Sequence, residues 1–168
     1  FIIKLVGKPD RPQKPPKEEE PPPDQILPWG IDAINGEFAW DYSTGYMVKI
    51  AVLDTGLDTN HPDLISNIAG GINIIAPRKI YEDDNGHGTH VAGIIAAIDN
   101  SEGVVGIAKE ASLYGVKVLD RKGQGWLSDI IAGLQWAVDN NIDVINMSLS
   151  TSTYSQIFHD SISAVYDS

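Results

Sequence analysis

From residue 25 onward, strand-type and helix-type segments alternate along the chain, and this alternation restricts the possible folds more than any other feature. Residues 49–53 form a short apolar run between Gly45 and Gly56, typical of a strand buried on both faces. Residues 88–98 follow helical spacing, and residues 112–119 alternate as a second strand. Because strands separated by helices form right-handed crossovers, the sequence predicts an α/β fold in which helices flank a parallel sheet.

The second half of the chain extends this pattern. Residues 127–140 carry another apolar helical face, with Ser128 as the predicted N-cap. Residues 143–149 predict a further strand, and residues 154–166 predict a third helix. Residues 25–168 are therefore predicted to belong to one domain.

The charge of the chain lies on this domain and not on the segment before it. The 168 residues contain 12 Lys and Arg against 23 Asp and Glu. Residues 1–24 hold five of each kind, so the remainder holds 12 − 5 = 7 basic against 23 − 5 = 18 acidic side chains. An acidic body argues against nucleic acid and anionic membranes as partners, and it is compatible with cation binding. The lack of cysteine excludes disulfides, thiolate metal sites and a cysteine nucleophile.

Residues 8–24 predict an extended linker. They hold seven of the ten prolines and no other apolar side chain, so they cannot contribute to a core. Their prolines favour polyproline II, which makes the segment a semi-rigid spacer. The apolar run at residues 1–6 is interpreted as the last strand of a preceding domain. No apolar run approaches the ~20 residues needed to span a bilayer.

Two polar residues lie at positions where parallel-sheet folds commonly carry functional sites. Asp54 directly follows the buried strand, and the crevice of an open parallel sheet lies beyond the carboxyl ends of its strands. A buried carboxylate needs a partner, which is either the backbone of its own turn or a second side chain. His87 lies between Gly86 and Gly88 at the entrance of the predicted helix, before the apolar stripe begins. We therefore consider Asp54 and His87 candidate functional residues.

Four segments in a fixed order carry a resemblance to a known family. They are residues 52–58 (Val-Leu-Asp-Thr-Gly-Leu-Asp), 61–63 (His-Pro-Asp), 85–93 (Asn-Gly-His-Gly-Thr-His-Val-Ala-Gly) and 144–149 (Val-Ile-Asn-Met-Ser-Leu). Together they resemble the subtilisin-like (subtilase) family of serine proteases, over residues 25–149. The resemblance implies a three-layer αβα fold, with residues 25–168 as the N-terminal portion of a catalytic domain that is incomplete at its C-terminal side.

The resemblance also implies an activity, which is the hydrolysis of peptide bonds by a serine endopeptidase with an Asp-His-Ser triad. Asp54 would be the orienting carboxylate and His87 the general base. The serine and the asparagine of the oxyanion hole are expected downstream of the present sequence. Ser148 follows a strand, but it lacks the strand-to-helix elbow that presents a nucleophile. On the resemblance, the substrate-binding residues are Gly123, Gln124, Gly125, Ser148, Leu149 and Ser150.

Ser150 departs from the family pattern, since many members have glycine there. Its side chain is expected at the mouth of the main specificity pocket, where it would disfavour a very large substrate side chain.

A calcium site is a further expectation from the resemblance. Its oxygen donors would come from Gln25, Asp63, Ile98, Asn100, Glu102 and Val104, a set that suits a hard cation. The alternative is a turn rich in Asn and Asp that binds no ion. Among the remaining histidines, we interpret His90 as packing inside the fold and His61 as a turn residue.

The resemblance further implies a secreted zymogen whose partners are a polypeptide substrate and its own inhibitory propeptide, and which is monomeric when complete. Residues 1–24 are then the tail of that propeptide with its Pro-rich linker, or else an ordinary N-terminal extension.

Two other functions stay open. One is a truncated, catalytically inactive homologue that only binds peptides or cations. The other is a flavodoxin-like receiver in which Asp54 is phosphorylated, although this leaves the segment around His87 without a purpose.

Overall fold

A computed structural model describes residues 24–151 and 154–167. The predicted N-terminal strand and, apart from Asp24, the Pro-rich linker lie outside these residues. The helices are α1 (Trp29–Ala33), a 3-10 helix (Gly36–Asp41), α2 (His87–Ala96), α3 (Leu127–Asp139) and α4 (Gln156–Tyr166), and the strands are β1 (Lys49–Asp54), β2 (Ile68–Asn73), β3 (Ser112–Lys117) and β4 (Val144–Asn146). None of the helices in this part of the chain has the length and apolar character needed to cross a membrane.

The described strands form one four-stranded sheet in the order β2-β3-β1-β4, and every pair is parallel. β1 lies between β3 and β4, so that Asp54 pairs with Lys117 and Val52 pairs with Asn146. The predicted α/β architecture with a parallel sheet and flanking helices is confirmed.

β1 is buried on both faces, as its continuous apolar sequence predicts. Ile50 and Val52 belong to the core on one side of the sheet, whereas Ala51 and Leu53 belong to the core on the other. The first core includes Ala92 and Ala96 of α2, and the second includes Ile130, Leu134 and Ala137 of α3. The helices thus cover opposite faces, and the domain has three layers.

β2 was not predicted from the sequence. It contains Gly70 and Gly71, and its register against β3 shifts between Ile68 and Gly70. Glycine lacks the side chain that gives a strand its apolar pattern, and it commonly marks a bulge or a close backbone approach. A Cβ at Gly71 would lie 2.2 Å from the carbonyl oxygen of Gly115 on β3, which explains why glycine occupies this position.

Several predicted boundaries differ from those observed. The prediction of Ser128 as an N-cap is wrong, because α3 begins at Leu127 and Trp126 precedes it without a side-chain capping bond. β4 is confined to three residues, since only Val144–Asn146 pairs with β1. α4 begins later than predicted, where the hydroxyl of Ser155 accepts a hydrogen bond from the N–H of Phe158 at 3.4 Å.

The start of α2 packs against the turn that follows β1. A Cβ at Gly88 would lie 2.2 Å from the carbonyl oxygen of Gly56 and 3.2 Å from the Cβ of Asp54. The absence of a side chain at Gly88 therefore allows the first turn of the helix to contact the end of the strand. Gly93, further along the same helix, would meet nothing within 4 Å.

We expect Gly88→Ala and Gly93→Ala to change stability in opposite directions. Gly88→Ala forces a clash with backbone, and overpacking of this kind costs about 1–3 kcal/mol in the free energy of unfolding. Gly93→Ala adds a side chain in open space and lowers the entropy of the unfolded chain, which stabilises a helix by about 0.5–1 kcal/mol. Urea unfolding of both variants checks this. A Gly88→Ala protein as stable as Gly93→Ala would contradict the close approach.

Candidate active site

Asp54 and His87 meet at the carboxyl edge of the sheet. Asp54 is the last residue of β1 and is fully buried, whereas His87 is the first residue of α2 and its side chain is 48% exposed. Nδ1 of His87 lies 2.8 Å and 2.9 Å from the two carboxylate oxygens of Asp54. Since an ionised carboxylate only accepts hydrogen bonds, Nδ1 carries the proton in this contact. The other ring nitrogen, Nε2, then has its lone pair available to accept a proton.

The turn after β1 holds the Asp54 carboxylate. The backbone N–H of Thr55 donates to Asp54 Oδ1 at 2.7 Å, and Thr55 is itself fully buried. The ammonium group of Lys117, a residue only 4% exposed, donates to the carbonyl oxygen of Thr55 and lies 2.6 Å from a carboxylate oxygen of Asp84. Asp54 therefore uses both of the partners that its position suggested, its own turn and a second side chain.

The loop before α2 determines where the imidazole lies. Gly86 has φ = 103°, a left-handed conformation that glycine adopts without strain, and it is the N-cap of the helix. The N–H of His87 donates to the side-chain oxygen of Asn85 at 3.1 Å, and the N–H of Gly88 donates to the hydroxyl of Thr55 at 2.9 Å. Both ends of the short segment around His87 are thus fixed by side chains.

Asp83 is a polar residue of this region that the sequence interpretation did not single out. Its Oδ1 accepts from the N–H of Asn85 (3.0 Å), the N–H of Gly86 (2.9 Å) and the hydroxyl of Thr55 (2.8 Å). Its Oδ2 accepts from the N–H and the hydroxyl of Thr89, at 2.9 Å and 2.6 Å. Partial burial raises the pKa of Asp83, but the hydrogen bonds from Gly86, Thr89 and Asn85 to the ionised form outweigh it and lower the pKa to about 2.

His87 lines a cleft of about 840 Å³. All of the predicted substrate-binding residues line it, namely Gly123, Gln124, Gly125, Ser148, Leu149 and Ser150. Its apolar walls include Leu119, Leu127, Ile130 and Phe158. Both predicted substrate-binding segments therefore line the same cleft as the imidazole, and their role in binding stays a prediction.

Asn85 connects the His87 loop to one wall of this cleft. Its side-chain amide donates to the carbonyl oxygen of Arg121 at 3.0 Å, just before the segment 123–125. That segment is shaped by Asp120, whose Oδ1 accepts from the N–H groups of Lys122 and Gln124 at 2.8 Å and 3.0 Å. Those hydrogen bonds lower the pKa of Asp120. The sequence interpretation did not identify Asp120 as the residue that organises this wall.

Five of the six residues predicted to bind calcium form a second polar cluster, and Glu102 contacts it through its main chain. The side-chain nitrogen of Gln25 donates to the carbonyl oxygens of Ile98 (2.8 Å) and Val104 (3.2 Å) and lies 3.4 Å from the side-chain oxygen of Asn100. Asp63 accepts from the Asn100 amide at 3.1 Å and from the N–H of Val104 at 3.0 Å. The N–H of Glu102 donates to the side-chain oxygen of Asn100 at 2.7 Å.

The oxygen atoms of this cluster are of the kind that a hard cation binds. Three oxygens converge on one nitrogen that bears partial positive charge, and a buried carboxylate lies beside them. No group of three or more His, Asp or Glu side chains in the described part of the chain could hold a metal ion. The cluster therefore differs from a metal site built on several charged side chains, because it offers amide and carbonyl oxygens and only one carboxylate.

The other two histidines near the site occupy different surroundings. Nδ1 of His61 accepts a hydrogen bond from the N–H of Asp63 at 3.2 Å, as suits a turn residue. The interpretation of His90 as a residue packed inside the fold is wrong, because His90 is exposed and lines a separate cavity of about 600 Å³. α2 presents its small residues Ala92 and Ala96 to the sheet instead.

We expect the stabilisation by Asp83 to depend on pH. Its pKa is about 2 in the folded protein against an ordinary value of 3.8, so its contribution is fully present above about pH 4 and is lost as the pH falls through 2. Asp83→Asn should thus be less stable than the wild type at pH 7, and the difference should shrink between pH 4 and pH 2.

Urea unfolding at a series of pH values measures this difference. Asp160→Asn on exposed α4 is the matched control, and it should stay within about 0.5 kcal/mol of the wild type at pH 7. A difference between Asp83→Asn and wild type that grows in acid would contradict the assignment.

Comparison with known proteins places the sequence in one family. The model of the subtilase family matches residues 45–167. A thermostable alkaline protease of Halalkalibacterium halodurans is 51% identical over 130 residues, which cover 77% of this chain and 35% of the relative. Subtilisin E of Bacillus subtilis is 50% identical over 131 residues, 77% of this chain and 34% of the relative. The minor extracellular protease Epr of Bacillus subtilis is 44% identical over 145 residues, 86% of this chain and 22% of the relative.

The chain thus spans about a third or less of the length of these three relatives. The family match includes both the strand end that holds Asp54 and the helix start that holds His87. On this evidence the chain belongs to the subtilase family.

Proposed function

We propose that the protein to which this chain belongs is a serine endopeptidase. The observation that carries the proposal is the contact of His87 Nδ1 with both oxygens of the buried Asp54, at 2.8 Å and 2.9 Å, beside a cleft of about 840 Å³ that His87 lines. A histidine held in this way, with its other nitrogen available, is suited to general-base catalysis.

In the proposed reaction, Nε2 of His87 takes the proton of a serine hydroxyl as the hydroxyl oxygen attacks the peptide carbonyl. The imidazolium that forms is stabilised by the Asp54 carboxylate, and it then gives its proton to the leaving amine. On the family resemblance, we propose that the serine, and the asparagine that stabilises the oxyanion, lie downstream of residue 168. The present residues would supply the base, its orienting carboxylate and part of the cleft.

The cleft suggests how a polypeptide substrate would bind. Residues 123–125 and 148–150 line the same cleft, which supports the proposal that an extended peptide lies between them and forms backbone hydrogen bonds with both. Such contacts tolerate many sequences, whereas the apolar walls around Leu127 and Ile130 favour an apolar substrate side chain. Ser150 lies among the lining residues, which supports the expectation that a very large side chain is disfavoured in the main pocket.

Calcium is the cation that we propose for the polar cluster around Asp63. Gln25, Asp63 and Asn100 would contribute side-chain oxygens, and Ile98, Glu102 and Val104 would contribute carbonyl oxygens. Bound calcium would supply positive charge that draws these oxygens together. Rotation of the Gln25 amide would exchange its nitrogen for its oxygen at the point where the other oxygens converge.

We further propose that the protein is secreted as a zymogen and acts as a monomer. A relative named as an extracellular protease and the acidic surface, with a net charge of −11, support the extracellular setting. Residues 1–24 are proposed to be the tail of an inhibitory propeptide with its linker, on the family resemblance and the proline content of that segment. The polypeptide substrate and this propeptide are the proposed partners.

His87→Ala is expected to abolish peptide hydrolysis by the full-length protein. Loss of the histidine from the subtilisin triad lowers kcat by about 10⁶-fold, because the triad acts as a unit. Asp54→Asn should lower kcat by about 10⁴-fold, because its amide NH₂ can donate to Nδ1 and so leave the proton on Nε2, where the ring cannot act as a base. kcat and KM on a chromogenic peptide measure both effects.

His159→Ala is the matched control, because His159 is exposed on α4 and does not line the cleft. It should leave kcat within about twofold of the wild type. A His87→Ala protein that retained wild-type activity would remove His87 from the mechanism. If the full-length wild type hydrolysed no peptide, the inactive, peptide-binding homologue would replace the endopeptidase.

Chelation of calcium is expected to lower the melting temperature, and Asp63→Asn should abolish that dependence. A ligand present at 100 times its Kd stabilises the folded state by about 2.7 kcal/mol. Asp99→Asn in the same loop is the matched control, because Asp99 is exposed and pairs with Lys109. Thermal unfolding with calcium and with chelator measures the effect. A melting temperature of the wild type that does not respond to calcium would contradict the site.

A further inference from the structure

We propose that Asp83 is a positioning residue for His87, and that it sets the distance between the imidazole and the Asp54 carboxylate by joining the His87 loop to the turn after β1. This inference rests on the proposed endopeptidase function. Asp83 touches neither Asp54 nor His87 in the hydrogen bonds of the described residues, so its effect would act through Thr55, Gly86 and Thr89.

The first part of the evidence is that Asp83 shapes the loop that carries His87. Its Oδ1 accepts from the N–H groups of Asn85 and Gly86, directly before His87, and its Oδ2 accepts from the N–H and hydroxyl of Thr89, directly after Gly88. The two oxygens of one carboxylate thus hold the loop on both sides of the histidine. α2 has no side-chain capping bond from its own N-cap, Gly86, so Asp83 satisfies N–H groups at this helix end.

The second part of the evidence is that the Asp83 carboxylate is also linked to the turn that holds Asp54. The hydroxyl of Thr55 donates to Asp83 Oδ1 at 2.8 Å while it accepts from the N–H of Gly88 at 2.9 Å. Thr55 follows Asp54, and its own N–H donates to Asp54 Oδ1. The hydroxyl of Thr89, which donates to Asp83, also accepts from the N–H of Asp58 at 2.9 Å. Asp83 therefore links the helix start to both sides of the turn after β1.

The location of Asp83 separates this role from substrate binding. His87, Thr55 and Asn85 line the 840 Å³ cleft, whereas Asp83 lines the 600 Å³ cavity that also contains His61 and His90. Asp83 thus supports the histidine from the side away from the cleft. Loss of Asp83 should consequently lower kcat more than it changes KM.

The substitutions that test this are Asp83→Asn and Thr55→Val. An asparagine replaces one accepting oxygen with an NH₂ donor, which would then face N–H or O–H donors that need an acceptor. Valine keeps the shape of threonine but removes the hydroxyl that bridges Asp83 and Gly88. Thr55→Ser restores that hydroxyl. Leu134→Ala, in the α3 core and outside the cleft, is the control for lost stability alone.

The measurements are kcat and KM of the full-length protein, and the NMR signal of the His87 Nδ1 proton that is hydrogen-bonded to Asp54. We expect Asp83→Asn and Thr55→Val to lower kcat between about tenfold and a hundredfold, since a displacement of about 1 Å at a reacting group has effects of this size. KM should change by less than about threefold. The Nδ1 proton signal should broaden or disappear in both variants. Thr55→Ser should recover most of the kcat that Thr55→Val loses.

Leu134→Ala, assayed well below its melting temperature, should keep both kcat and the Nδ1 proton signal. The inference fails if Asp83→Asn retains wild-type kcat and the wild-type signal, or if Leu134→Ala loses them equally. If Asp83→Asn does not fold, Thr55→Val against Thr55→Ser decides in the same way. A wild-type protein without peptidase activity would overturn the proposed function alone, because the Nδ1 signal still reports whether Asp83 positions His87.

Discussion

The buried carboxylate of Asp54 is the group on which the rest of the site depends. β1 is enclosed on both faces, and its last residue, Asp54, is fully buried at the sheet edge. Removal of a charge from water costs several kcal/mol unless partners replace the water. The N–H of Thr55 and Nδ1 of His87 are those partners. The start of α2 must therefore lie within reach of the strand end, and the small size of Gly88 permits it.

The charged and polar side chains around Asp54 and His87 also have hydrogen-bond or ion-pair partners. Lys117 lies beside Asp54 in the sheet and is almost fully buried, yet its ammonium group contacts the Thr55 carbonyl and the Asp84 carboxylate. Asp83 holds the other side of the same turn through Thr55. Satisfied polar networks in a region of low dielectric favour a single arrangement, because any displacement leaves a group without its partner. Hydrogen bonds and ion pairs, in addition to apolar packing, therefore hold this region in one arrangement.

The strongly periodic elements could be predicted from the sequence, and the elements that depend on tertiary contacts could not. The apolar run of β1 and the helical stripe of α3 each identify a buried element directly. β2 could not be predicted, because Gly70 and Gly71 give it no apolar pattern. Their lack of side chains is also what allows β3 to lie close. Asp83 looked like any acidic loop residue, because its importance comes from Thr55, which is 28 positions away along the chain. His90 was misplaced because the small alanines of α2, not its larger polar residues, face the sheet.

The attachment of Gln25 has a consequence for how the fold opens. The Gln25 side chain and the N–H of Ile26 join the segment before α1 to residues 98–104, and Ile26 also forms a bridge with Val104. Local unfolding of this segment would break all of these contacts, so each of them opposes it. A folded chain is cleaved by proteases mainly in its opened states. The contacts of Gln25 therefore oppose the opening that would expose the segment before α1 to cleavage.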